Sequence, residues 1–64
     1  MCESTVFVKR AGKEELLAED VAKVVPEGDE VRVVTLLGEE HRVKGAIADV
    51  DLMAHKITLH AADS

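Results

Sequence analysis

The chain has one cysteine, one proline and one aromatic side chain, with no tryptophan or tyrosine, among its 64 residues. A single thiol excludes an intrachain disulfide. A single aromatic, Phe7, excludes the stacked platforms on which small barrels hold single-stranded nucleic acid. No apolar run approaches the roughly 18 residues that suggest a membrane helix, and the first residues lack the basic region and long apolar stretch of a signal peptide. A cytoplasmic location without membrane contact is therefore expected, where a lone thiol stays reduced. The sequence also has no P-loop, dinucleotide fingerprint, Ser-His-Asp set or glycine-rich calcium loop, so no enzyme is expected.

Small size sets the next bound. A chain of this length forms one domain, residues 1–64, and buries only about 60% of the surface its unfolded form exposes. Such domains are supplemented by a disulfide, a metal or a partner subunit. The lone cysteine leaves the last two. Thirteen acidic residues against eight basic ones give a net charge of −5, which repels phosphate backbones and makes nucleic acid an unlikely partner. Lys9, Arg10 and Lys13 form the only tight basic cluster, which suits a strand end and turn kept soluble by charge.

The hydrophobic residues are Val, Leu, Ile and Ala arranged in short β-rich runs. Residues 4–10 read S-T-V-F-V-K-R, with Val6 and Val8 on one face and Thr5 and Phe7 on the other, the alternation of a strand. Residues 11–13 form a turn, and residues 14–18 can pair back on the first strand. Residues 14–25 admit two readings. Leu16, Leu17, Val21, Val24 and Val25 suit a helical stripe, but Pro26 ends the segment and Glu27-Gly28-Asp29 is turn chemistry. The second reading makes residues 24–31 a hairpin leading into a strand over residues 30–37.

Gly45 interrupts a strand-like run, which predicts a bulge or a sharp bend. Alternation over residues 47–52 places Val50 and Leu52 inside and Asp49 and Asp51 outside. Residues 53–54 turn, and residues 56–61 form a last strand with Ile57 and Leu59 on one face and Thr58 and His60 on the other. The expected fold is all-β: five to seven short antiparallel strands in a small barrel or strongly bent sheet. An exposed edge of such a sheet is a place for a second copy to pair.

Cys2 is the most informative position for chemistry. Removal of the initiator methionine before a small residue would leave an α-amine beside the thiolate, closing a five-membered chelate to which the Glu3 backbone amide can add a second ring. Such nitrogen and sulfur donors suit square-planar Ni(II) or Cu(II). Binding requires the thiolate and so weakens as pH falls. Two chains meeting near their N-termini would double the donors. The alternative is that Cys2 is a small apolar residue opening the first strand. His41, His55 and His60 lack any metal-ligand spacing and read as solvated or strand-end residues. The pairs Asp49/Asp51 and Glu39/Glu40 read as solvated sheet charges.

The opening Met1-Cys2-x-x-x-Val6, the Val31-Arg32-Val33-x-x-Leu36 segment, Gly38-Glu39, Gly45, Ile47, Asp49-Val50-Asp51-Leu52 and the Ile57-x-Leu59 ending resemble the CooT-like family over nearly the whole chain. The Met-Cys start is the specific part. The resemblance implies a homodimeric β protein binding one Ni(II) per dimer through Cys2, with its amine and the Glu3 amide as lesser ligands, and acting as a nickel accessory protein in the maturation of carbon monoxide dehydrogenase. It does not extend the ligand set to the histidines. Some similar chains are labelled RNA-binding, so a small barrel-type RNA-binding protein is the alternative function.

Overall fold

The computed structural model describes residues 3–62, which form five strands and no helix. These are β1 (Ser4–Arg10), β2 (Lys13–Glu27), β3 (Glu30–Thr35), β4 (Glu40–Asp51) and β5 (Lys56–Ala61). Each strand is hydrogen-bonded to the next, and β5 returns to β1 to close a barrel. An up-and-down ring of five strands brings its first and last strands side by side in the same direction. The β1–β5 pair accordingly runs parallel, whereas the other four pairs are antiparallel.

Two strands are long because each serves two neighbours. The first half of β2 pairs with β1 and its second half with β3, changing over at Val21. Strand β4 pairs with β3 through residues 40–44 and with β5 from Gly45 onward. The segment with a possible helical stripe is therefore a single 15-residue strand. Its Leu16-Leu17 doublet coincides with the register shift beside Val6, and a second shift beyond Val21 inserts Ala22; at each, an extra residue changes the facing of those that follow.

Gly45 makes the bend expected of it. Its φ is +150°, and a Cβ there would overlap the carbonyl oxygen of His60 while lying 2.9 Å from the carbonyl carbon. Only a residue without a side chain lets β4 pass this close to β5.

The core is small and almost wholly aliphatic. Val6, Val8, Ala18, Val21, Val31, Val33, Val43, Leu59 and Ala61 are buried, with Leu17, Val24 and Ile57 packed against them. Two expected core positions lie elsewhere. A register shift between Ile47 and Asp49 inserts Ala48, and beyond it Val50 is half exposed. Leu52 sits in the β4–β5 turn and is 80% exposed.

Candidate functional site

Register relates several sequence features to the start of β1. Ser4 at the start of β1 lies opposite Val21, and Val21 lies opposite Thr35 at the end of β3. On the other side of β1, Thr5 pairs with Lys56, which pairs with Asp51 at the end of β4. The Thr5 amide donates to the His55 carbonyl at 2.9 Å, and the Leu36 amide donates to the Asp20 carbonyl at 2.8 Å. The start of β1 and the β4–β5 turn thus lie at one end, about one strand spacing of 4.8 Å apart, whereas the β3–β4 connection lies at the opposite end of the 12-residue β4.

These two connections carry the most exposed apolar side chains. Leu37 is 90% and Met53 is 92% exposed, with Leu36 and Leu52 also largely uncovered. Large apolar residues in turns mark interaction surfaces when they cluster. Sequence reading by strand alternation missed this, although leucine and methionine doublets beside Gly38 and in the last turn were the available signal.

Both turns are built to hold their shape. Thr35, buried at the end of β3, accepts from the Glu39 amide at 3.1 Å through Oγ1, while its own amide donates to the Glu39 carbonyl at 2.9 Å. Asp51 accepts from the Met53 and Ala54 amides at 3.1 and 3.0 Å through one carboxylate oxygen. That is an Asx turn, and it assigns Asp51 a structural task.

Cys2, the expected metal ligand, lies outside the described residues, which begin with half-buried Glu3. The structure does not bring the histidines together: His41 is opposite Val33 on β4, His55 is in the β4–β5 turn, and His60 on β5 is opposite Lys9 near the other end. Among the described residues no group of three or more His, Cys, Asp or Glu is placed to hold a metal ion. None of their segments is a helix long and apolar enough to cross a membrane.

The outer face of β2, β3 and β4 carries a charge network. Arg32 and Arg42 face each other across β3 and β4, a like-charge pair that requires counter-ions. Arg32 donates to Glu27 at 3.2 Å and to Glu40 at 3.0 Å, and Arg42 lies 3.6 Å from Glu40 and 3.9 Å from Glu30. The hydrogen bond from Arg32 holds the Glu40 carboxyl below its ordinary value near 4.5. The same bond, then the charge of Glu27, raises the Arg32 guanidinium. A carboxyl depressed on folding stabilises above its unfolded value, and that contribution is lost as pH falls through the folded one. Glu40→Gln is thus expected to lower the thermal midpoint at neutral pH by about a few degrees at most, since water screens the site. Well below the carboxylate range the variant and wild type should melt together. Melting curves followed by circular dichroism across pH would check both arms.

Phe7 is also occupied. The Lys56 ammonium lies over its ring, 4.9 Å from the centroid, and reaches on to Glu14 at 2.9 Å. The one aromatic therefore serves as the seat of a cation–π contact.

Comparison with known proteins agrees with this fold and its sequence pattern. The family model for CO dehydrogenase accessory protein CooT matches residues 1–60. A crystal structure described as that of CooT from Carboxydothermus hydrogenoformans superposes with a TM-score of 0.83 and 31% identity, covering 97% of this chain and 100% of the other. An uncharacterized protein of Archaeoglobus fulgidus is 42% identical over 41 residues, 64% of this chain and 91% of that protein. The chain belongs to the CooT family of CO dehydrogenase accessory proteins.

Proposed function

We propose that this protein is a nickel accessory protein for carbon monoxide dehydrogenase, carrying or buffering Ni(II) as cargo. The metal is held by the Cys2 thiolate, its α-amine after loss of Met1, and the Glu3 amide nitrogen. These are the nitrogen and sulfur donors that square-planar Ni(II) favours over hard-cation sites. The observation that carries the reading is family membership together with a cysteine directly after Met1.

A single chain supplies few donors, so the reading includes a homodimer in which two N-termini share one ion. Leu52 and Met53 support it, because they leave apolar surface uncovered in the β4–β5 turn, whose His55 carbonyl accepts from the Thr5 amide at the start of β1. Burying such surface on association is favourable at about 25 cal/mol per Å² before the costs of docking.

Titration with Ni(II), followed by thiolate-to-metal charge-transfer absorption, tests the assignment. Cys2→Ser should abolish the band and weaken binding by at least about 10–100-fold, the loss that even an outer-shell partner carries. Unchanged nickel affinity in that variant would refute it. Sedimentation in the presence and absence of Ni(II) reads the dimer separately. The RNA-binding alternative gains nothing from the geometry, because Phe7 already lies beneath Lys56.

A further inference from the structure

Away from the start of β1, an open cavity of about 410 Å³ lies between the β2–β3 turn, the middle of β4 and the end of β5, lined by Gly28, Asp29, Gly45, Ala46, His60 and Ala62. It exists because four of these six residues are glycine or alanine. Its walls are fixed by the Gly45 amide donating to the Asp29 carbonyl at 2.9 Å and the Ala62 amide donating to the Lys44 carbonyl at 2.8 Å.

Cations gather around it. Lys9 is flanked in register by His60 on β5 and Glu14 on β2, with Arg10 opposite Lys13 one step further along. Glu14 is already engaged by Lys56. Lys9, Lys13 and Lys44 make no ion pair among the described residues. Three lysines thus stand beside a small-residue cavity in a chain of net charge −5, with Asp29 the one carboxylate in its lining and Glu30 opposite Lys44 in register. Such an arrangement favours a partner that presents carboxylates to the lysines and N–H groups to Asp29.

We propose that this cavity is a docking site for an acidic peptide segment of a partner protein, with a small apolar side chain entering it and carboxylates meeting Lys9 and Lys44. A polypeptide fits better than a nucleic acid for two reasons. Asp29 is an acceptor for peptide N–H groups, which a phosphodiester backbone lacks. There is also no free aromatic on which a base could stack. The site is independent of nickel and leaves the N-terminal end open.

The test uses the full chain and a fluorescein-labelled peptide of alternating glutamate and alanine, with polyuridine RNA as the competing class. At low ionic strength the peptide should bind, and Lys9→Glu or Lys44→Glu should weaken it by about tenfold or more. Lys23→Glu carries the same charge change away from the cavity and should leave binding intact. Ala46→Phe fills the cavity without altering charge and should also weaken binding. Amide shifts in a nitrogen-15 spectrum should concentrate at Gly45, His60 and Ala62. The proposal is overturned if the peptide fails to bind, if Lys23→Glu is as damaging as Lys9→Glu, or if polyuridine binds and the peptide does not.

Discussion

Gly45→Ala is expected to leave the protein largely unfolded at room temperature. A methyl at this position would overlap the His60 carbonyl oxygen, and the neighbouring contacts, the His60 carbonyl carbon at 2.9 Å and the Ala61 Cα at 3.1 Å, are also backbone. Backbone paired in a strand cannot swing aside as a long side chain can. To admit the methyl, β4 and β5 must separate where β4 exchanges one partner for the other. The φ of +150° adds a conformational cost of roughly 1–3 kcal/mol for any residue with a Cβ. A 64-residue domain has only about 3–10 kcal/mol of stability in total. Gly28→Ala is the control, because a Cβ there meets nothing within 4 Å and only the φ of +65° is strained. It should cost about 1 kcal/mol. Urea titration followed by circular dichroism reads both variants, since the chain has no tryptophan or tyrosine to report by fluorescence. A Gly45→Ala protein as stable as Gly28→Ala would contradict this account of the bend.

Truncation of Leu59 should have the next largest effect, a loss of about 2–5 kcal/mol. Leu59 is fully buried and is the only leucine among the buried residues, standing between Val8 on β1 and Ile47 on β4. Its removal leaves a void that short valines cannot reach across. Leu37→Ala removes the same atoms from a side chain 90% exposed, so chain stability should change by no more than about 0.5 kcal/mol. Denaturant melts of the two variants read the contrast.

Sequence patterning made the all-β class, the turns and the Gly45 bend legible because each is a local choice. Gly12 with Ala11, and Pro26 to Asp29, hold turn chemistry whatever the rest of the chain does. Local pattern fails where a bulge resets the alternation. Leu16 and Leu17 are adjacent and both apolar, so a helical stripe fits them as well as a strand does. Pairing with β1 and β3, distant in sequence, decides the matter in favour of strand. The same limit placed Val50 inside, since Ala48 is an extra residue only in relation to β5. The candidate metal site was legible as covalent chemistry, an amine and a thiolate on one residue. The apolar surface of the β3–β4 and β4–β5 connections was not, because exposure of a leucine depends on which strands stop beside it.

The parallel closure of β1 against β5 separates the two ends of the described chain. With an odd number of strands, β1 begins at one pole and β5 finishes at the other. The seven residues of β1 set that separation at about 20 Å, so a group bound beside Ser4 and one bound beside Ala61 would not compete for space.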